Sequence, residues 1–283
     1  PPRSTLFPYT TLFRSKGVSI SGSNASPSIT ECEIINNIKY GVYAESDSSL
    51  SLRNCVIANN DNTSTNYSYG IDMYDIREIH VVNCTIVGHT KTQSRGVRIR
   101  SLEPSAVVEI KNNIVWGNTT NIEAPSGISV SYCCIGGYSG GIGNISSDPL
   151  FANPAPQPGE QYDYHLKSHY GRYSSGTWVQ DTNVYSPCID AGAPGDDYFQ
   201  EVDMPAGTNG GRINMGAYGN TPEASKSVDY NNDGISDIWQ ERYWNGQNGV
   251  PLFDRDNANT AWAPFTDYNQ NGLYNIYDYK LSL

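Results

Sequence analysis

A short motif recurs along the first half of the chain at steps of roughly 20 to 29 residues. Its clearest copy is Asn83-Cys84-Thr85-Ile86. The positions three before and two after the cysteine are apolar in every copy, and the other copies begin at Glu31, Asn54, Asn112 and Tyr132. Repeats of this length form solenoids, in which each turn of chain buries its apolar side only by stacking on its neighbours.

A second column precedes each cysteine column and reads as a short alternating strand. It opens at Gly17, Gly41, Gly70 and Gly96, with a weaker fifth copy at Ile122. Alternation places one set of side chains inward and the other outward. The inward set is Val18, Val42, Ile71 and Val97, and the outward set is Ser19, Tyr43, Asp72 and Arg98. We expect about three strands per repeat: one at the glycine, one before the cysteine and one after it.

Three cysteines, Cys32, Cys55 and Cys84, share one column, which Asn113 and Cys133 continue. Six cysteines in 283 residues are too few for a disulfide scaffold. We therefore predict a column of free, buried thiols that pack as small apolar groups. Stacked disulfides are the alternative, and a metal site is disfavoured because no histidine shares the column.

These repeats, over residues 16–150, resemble the right-handed parallel β-helix family, and we predict an all-β chain with about five coils. An armadillo-like or leucine-rich solenoid is disfavoured, since the helical period and the L-x-x-L-x-L frame are absent. Ser186-Pro-Cys-Ile-Asp-Ala-Gly192 and the segment from Gly210 to Gly219 resemble the C-terminal segment of secreted bacterial β-helix proteins. The resemblance implies that residues 151–225 complete and cap the β-helix domain. Asp190, Asp203 and Arg212 are then interpreted as turn and cap contacts.

The first fifteen residues fit no column of this alignment. Arg3–Tyr9 and Thr11–Ser15 nearly repeat one another and resemble translated sequencing-adapter sequence. We expect residues 1–15 to lie outside the fold, and the natural N-terminal part, with any signal peptide, to be missing.

Two segments near the end, within residues 226–283, carry oxygen side chains at loop positions 1, 3, 5, 9 and 12 around a central glycine. A Ca²⁺ ion requires six to eight oxygen ligands, and position 7 supplies one through its backbone carbonyl. The predicted ligands are Asp229, Asn231, Asp233, Ile235, Asp237 and Gln240 in the first loop, and Asp267, Asn269, Asn271, Leu273, Asn275 and Asp278 in the second. Gln240 stands where an acidic bidentate ligand is expected, so we predict weak affinity and a structural role for calcium.

The first loop resembles thrombospondin type 3-like repeats, and the second resembles a dockerin repeat. The resemblance implies a small EF-hand-like module with short helices. If this module is a dockerin, the resemblance also implies a cohesin-type scaffold protein as its partner.

Outward residues of the glycine column form the candidate substrate-binding set. Stacking brings Asp72 beside Arg98, and Glu45, Tyr74 and Arg100 into one file. The set comprises Tyr43, Asp72, Tyr74, Arg98 and Arg100. Two interpretations stay open: arginines that neutralise an acidic sugar while a base removes its α-proton, or cross-strand charge pairing on a solvated face.

A net charge of −11 disfavours nucleic-acid binding, and no apolar run reaches the 18 residues of a membrane span. Three functions follow. The favoured one is an extracellular or cell-surface β-helix protein that contacts carbohydrate or matrix and carries a structural calcium module. The second is a polysaccharide-degrading enzyme, a uronate lyase or glycoside hydrolase, whose catalytic coils are partly missing. The third is a structural adhesin or stalk.

Overall fold

The computed structural model describes residues 4–5 (backbone only), 15–61, 64–138, 140–202 and 210–227. The chain divides into two compact units. The first comprises residues 1–148 together with 215–217, and the second comprises residues 149–214 and 218–283. Within the described ranges no helix is present that is long and apolar enough to cross a membrane.

The first unit is a right-handed parallel β-solenoid with three faces. Its strands pair only in parallel in the described part of this unit. They are β1 (Ser4–Thr5), β2 (Lys16–Ser21), β3 (Ser28–Thr30), β4 (Cys32–Ile35), β5 (Tyr40–Arg53), β6 (Val56–Ala58), β7 (Tyr69–Val82), β8 (Thr85–Val87), β9 (Arg95–Ile99), β10 (Leu102–Lys111), β11 (Ile114–Trp116), β12 (Thr120–Glu123), β13 (Val130–Ser131) and β14 (Cys134–Ile135).

The first and second faces share two long strands. β5 and β7 have 14 residues each, and each bends halfway, at Ser46 and Asp47 and at Asp75, which adopt positive φ angles between 57° and 63°. The first face contains β2, β9, β12 and the first halves of β5 and β7; the second contains β3, β10, β13 and the second halves. The strands expected at the glycine and before the cysteine are therefore continuous in these two coils.

The third face is the sheet β1-β4-β6-β8-β11-β14. Asn54, Asn83 and Asn112 form the corner that leads into it, with φ angles of 53°, 51° and 56°. Asparagine enters this left-handed region more readily than most residues. This explains why asparagine precedes the cysteine column in the repeat.

The cysteine column lies inside the solenoid, as predicted. None of the six cysteines forms a disulfide, and all six are buried. The thiols of Cys55, Cys84 and Cys133 donate to the carbonyl oxygen two residues earlier, at 3.2, 3.3 and 3.2 Å. Asn113 replaces a cysteine in this column by accepting from the Cys84 amide at 2.8 Å and donating to the Val81 carbonyl at 2.7 Å.

A ladder of polar side chains follows the third face and was not predicted from the sequence. We call it the amide ladder; it contains Asn37, Asn60, His89, Asn118 and Asn121. Nδ2 of Asn37 donates to Oδ1 of Asn60 at 2.8 Å, and the His89 ring lies 2.8 Å from Oδ1 of Asn118. From Asn37 to Asn118 each member thus contacts a polar group of the adjacent coil, and Asn121 accepts from Asn118 at 3.0 Å within the last coil.

The solenoid has about four turns, so the expectation of about five coils was too high by one. The reason lies in the last predicted repeat, whose strands β13 and β14 have two residues each. Beyond them the described chain continues as an isolated bridge between Cys134 and Ile145 and not as a named strand. Two residues of the segment that we set aside, Ser4 and Thr5, pair with β4.

Met215–Ala217 contacts the solenoid within the first unit. The Gly216 amide donates to the Asn112 carbonyl at 2.8 Å, the Ala217 amide donates to Oγ1 of Thr85 at 3.0 Å, and Nδ2 of Asn54 donates to the Ala217 carbonyl at 3.3 Å. A side chain at position 216 would meet Ile114 at 2.7 Å, and Gly216 has a φ of +88°. This strap therefore requires glycine.

The second unit contains two antiparallel hairpins. β15 (Phe151–Asn153) pairs with β16 (Asp163–Leu166), and β17 (Arg172–Ser174) pairs with β18 (Thr177–Val179). His165 stacks on Tyr218 with centroids 3.6 Å apart, and its Nδ1 lies 2.6 Å from Asp163.

Irregular segments of the second unit are tied together by buried polar groups. The Asp190 amide donates to Oδ1 of Asn214 at 2.8 Å, and Nε of Arg212 donates to the Gly192 carbonyl at 2.7 Å. Glu201 accepts from the Asn214 amide at 2.9 Å, and burial holds the pKa of its carboxyl well above the usual range. These contacts agree with the turn interpretation of Asp190 and Arg212, whereas Asp203 lies outside the described residues.

Candidate functional site

The outward side chains of the first face form one continuous polar and aromatic surface. Parallel register aligns Tyr40 with Tyr69, Tyr43 with Asp72, Asp72 with Arg98, and Arg98 with Glu123. Aligned residues of adjacent strands lie about 5 Å apart, so the side chains of successive coils contact one another. The surface therefore rests on a rigid sheet whose opposite side is the buried core.

Four tyrosines occupy one part of this surface, and we call them the tyrosine platform: Tyr40, Tyr43, Tyr67 and Tyr69. Tyr40 stacks on Tyr69 with centroids 5.4 Å apart and meets Tyr43 edge-on at 5.2 Å, while Tyr67 lies 6.1 Å from Tyr69. Tyr69 is buried, and the other three are partly exposed.

Cationic groups lie over these rings. The Lys16 ammonium is 3.7 Å from the centroid of Tyr43, and the Lys39 ammonium is 4.9 Å from that of Tyr40 and 4.2 Å from that of Tyr67. The Arg98 guanidinium is 5.2 Å from the centroid of Tyr69. These are cation–π distances.

Three arginines and three carboxylates continue the surface. Arg100 donates twice to Asp72, from Nε to Oδ1 at 2.9 Å and from Nη2 to Oδ2. Arg95 and Arg98 share Glu123, at 2.6 and 3.2 Å from their Nε atoms. Arg98 also donates to the Tyr69 hydroxyl at 2.9 Å. The third carboxylate, Glu45, accepts from the Tyr43 hydroxyl at 2.7 Å.

The structure brings four of the five predicted substrate-binding residues into this network, namely Tyr43, Asp72, Arg98 and Arg100. Asp72 and Arg98 are aligned as expected, but Asp72 pairs diagonally with Arg100, because the Arg98 side chain is held by Glu123 and Tyr69. Tyr74 aligns with Glu45 and is 48% exposed.

Sequence reasoning missed the residues immediately before each glycine of the glycine column. These are Lys16, Tyr40, Tyr69 and Arg95, and they form a file of their own on the same surface. The signal was present in the sequence, since all four are large aromatic or cationic residues at one repeat position. Our alignment began the strand at the glycine and so left them out.

Three groups of this surface, Tyr43, Tyr69 and Glu123, have pKa values that oppose proton transfer near neutral pH. The hydrogen bond to Glu45 raises the pKa of Tyr43 to about 12, and burial raises that of Tyr69. The hydrogen bond that Glu123 accepts from Arg95 lowers the pKa of the Glu123 carboxyl. A general acid or base works best with a pKa near the operating pH. These groups therefore act as hydrogen-bond donors and fixed charges.

A second charged cluster lies on the outward side of the second face. Nδ1 of His80 is 2.8 Å from Glu109, and Nε2 is 2.9 Å from Glu78. Lys111 pairs with Glu109 at 3.0 Å. The hydrogen bonds with Glu78 and Glu109 raise the pKa of His80. Each ring nitrogen faces an acceptor, so the cluster favours the imidazolium.

All predicted calcium ligands, from Asp229 to Asp278, lie outside the described residues. Their arrangement therefore stays a sequence prediction. Among residues 15–202 and 210–227, apart from the gaps given above, no three His, Cys, Asp or Glu side chains converge in a way that would hold a metal ion.

Two family profiles match this chain. Residues 14–149 match one described as right handed beta helix region, and residues 132–192 match one described as disaggregatase related. A search of curated proteins found no match, and neither did a search of solved structures. The first match and the parallel solenoid together confirm the prediction of a right-handed parallel β-helix.

Proposed function

We propose that this β-helix protein binds carbohydrate of an extracellular matrix or cell surface through the tyrosine platform. The carrying observation is the contact among Tyr40, Tyr43, Tyr67 and Tyr69 on the outside of a rigid sheet. Aromatic rings offer flat apolar faces for the C–H side of a sugar, and a tyrosine hydroxyl adds a polar group at the ring edge.

Preorganisation supports binding by this surface. The tyrosines hold each other in place, and the inward neighbours Val42 and Ile71 are fully buried. A ligand that meets ordered side chains loses less conformational entropy on binding than one that must order them. The spacing of about 5 Å between strands also repeats along the solenoid axis, which suits a polymer with a repeating backbone.

The enzymatic alternative, a polysaccharide lyase or glycoside hydrolase, is less well supported by the chemistry of these residues. Asp72 and Glu123 are engaged by arginines, and the lowered pKa of Glu123 makes it a poor proton donor. Incubation with alginate, pectate and chondroitin, monitored for absorbance of unsaturated products, tests the lyase. Product formation would replace the binding proposal with an enzymatic one.

We further propose that the two calcium loops form a module in which Ca²⁺ has a structural role. Residues 229–240 and 267–278 carry the spacing of oxygen side chains that a Ca²⁺ ion requires. Weak loops of this kind function where calcium is abundant, which supports an extracellular or cell-surface location.

A binding assay with one matched pair of variants tests the platform. The full chain, in calcium buffer, is incubated with insoluble plant and bacterial polysaccharides, and the bound fraction is measured. We expect Tyr40→Ala to weaken binding at least tenfold, because it removes the ring that contacts both Tyr43 and Tyr69. Tyr162→Ala is the control, since Tyr162 also stacks on a tyrosine but lies in the second unit.

Circular dichroism of each variant separates loss of binding from loss of fold. Equal binding by wild type and Tyr40→Ala, or an equal loss in Tyr162→Ala, would overturn the platform proposal. Absence of binding to every polymer tested would leave the structural stalk as the better description.

A further inference from the structure

We infer that the carbohydrate bound by the tyrosine platform is anionic, a glycan that carries carboxylate or sulfate groups. This inference rests on the proposed carbohydrate binding and deepens it. Two features of the first face carry it: the balance of charge around the platform, and the location of the two lysines over the rings that would stack on sugar.

The surface is cationic within an acidic chain. Its cations are Lys16, Lys39, Arg95, Arg98 and Arg100, and its carboxylates are Glu45, Asp72 and Glu123. Five cations against three carboxylates leave two positive charges in excess, whereas the whole chain carries −11. Because the chain as a whole is acidic, this locally cationic face is the surface that we expect to attract a charged polymer.

The cations differ in how far they are neutralised. Arg100 is matched by the buried Asp72, whereas Arg95 and Arg98 have one carboxylate, Glu123, between them. Lys16 and Lys39 form no ion pair with any carboxylate in the described part of the chain; their contacts are with tyrosine rings. These two cations therefore lie over the tyrosine platform, and Glu45, which accepts from the Tyr43 hydroxyl, offsets one of their two charges.

A sugar that packs against the exposed parts of Tyr40 and Tyr43 would lie beside the ammonium groups that cover one side of these rings. An anionic substituent gains an ion pair there, whereas a neutral hydroxyl gains only a hydrogen bond. Partly exposed ion pairs are weak, and exposed charges are screened by salt. We therefore expect a preference of about tenfold for charged over neutral polymers at low ionic strength, and its loss at high ionic strength.

Polymers with matched backbones test this inference and separate its two chemical sources. Polygalacturonate is compared with fully methyl-esterified pectin, and dextran sulfate is compared with dextran, in calcium buffer at low and high salt. Binding of both charged polymers confirms the shared anionic chemistry. Binding of polygalacturonate alone assigns a carboxylated ligand, and binding of dextran sulfate alone assigns a sulfated one.

Charge-removing variants locate the selectivity. The double variant Lys16→Gln/Lys39→Gln is expected to lose the preference for charged polymers and to keep its circular dichroism spectrum. Lys167→Gln is the control, because Lys167 is similarly half-buried but lies in the second unit. A double variant that retains the full preference would overturn the inference.

The two proposals fail differently. If neutral and charged polymers bind equally, the anionic inference is wrong, and carbohydrate binding stands. If no polymer binds, the carbohydrate proposal itself fails.

Discussion

Arg100 holds Asp72 through two parallel hydrogen bonds, and the Asp72 side chain is completely buried whereas that of Arg100 is 34% exposed. The two residues belong to adjacent coils, with β9 ending just before Arg100 and Asp72 lying in β7. The pair therefore links two coils on the face that we propose binds carbohydrate.

Removing the guanidinium leaves a buried carboxylate without its countercharge. We expect Arg100→Gln to lower the free energy of unfolding by about 3 kcal/mol, measured by urea denaturation with far-ultraviolet circular dichroism. Arg98→Gln is the comparison, because its partner Glu123 is 42% exposed, and it is expected to cost less than about 1 kcal/mol. Equal losses in the two variants would contradict this account.

His89 makes the solenoid sensitive to acid. It is fully buried in the amide ladder, and burial lowers its pKa from 6.5 to about 4. The unfolded chain therefore binds a proton below pH 6.5 that the folded chain does not bind until about pH 4. This contribution to stability is complete above pH 6.5 and falls by about 3 kcal/mol as the pH is lowered to 4.

The matched variant for this pH dependence is His89→Asn, which places an uncharged amide between Asn60 and Asn118. Denaturation at several pH values should show a smaller loss of stability on acidification in the variant than in the wild type. Identical pH profiles would rule out His89 as the source.

His80 has the opposite sign of pH dependence. Its pKa is raised by hydrogen bonds with Glu78 and Glu109, so its contribution is complete below pH 6.5 and is lost as pH rises through the raised pKa. Because the cluster is partly exposed, with side-chain exposures of 31% to 44%, the effect on stability should be below about 1 kcal/mol. Nuclear magnetic resonance titration of the ring is the sharper measurement: Glu78→Gln should lower the His80 pKa, and Glu33→Gln on the third face should not.

Substitution of Gly216 tests whether the strap, Met215–Ala217, packs closely on the solenoid. It shares a φ of +88° with Gly127, but a Cβ at 216 would meet Ile114 at 2.7 Å, whereas nothing lies within 4 Å of one at 127. We expect Gly127→Ala to cost about 1 kcal/mol for backbone strain, and Gly216→Ala about 3 kcal/mol because overpacking is added. Thermal unfolding of both variants compares them, and equal losses would show that strain alone matters.

The calcium loops make a prediction that depends only on sequence. Titration calorimetry of the full chain with CaCl₂ should detect binding in the micromolar-to-millimolar range, about 10⁻⁵ to 10⁻³ M. Asp229→Ala/Asp267→Ala should abolish it, since both aspartates occupy loop position 1. Asp61→Ala, in a solenoid loop, is the control. If no heat of binding is detected at millimolar calcium, the prediction that these two loops bind calcium is wrong.

The repeat columns predicted the architecture well because stacking imposes one environment on each column. The inward position of Cys84 and the alignment of Asp72 with Arg98 both followed from spacing alone. Side-chain partners did not follow. Arginine is long enough to reach a diagonal neighbour, so Arg100 rather than Arg98 engages Asp72. The role of His89 was hidden as well, because histidine does not resemble the asparagines above and below it.

The amide ladder has a further consequence for how such a chain can change in length. Its members are separated by 23 residues between Asn37 and Asn60, and by 29 at each of the next two steps. The length of a loop can therefore vary, provided that every coil still places an amide-like side chain in the ladder. Duplication or deletion of a whole coil consequently keeps the hydrogen bonds of the ladder, whereas adding or removing half a coil would leave a buried amide without its partner. The number of residues in the solenoid is thus expected to change by whole coils.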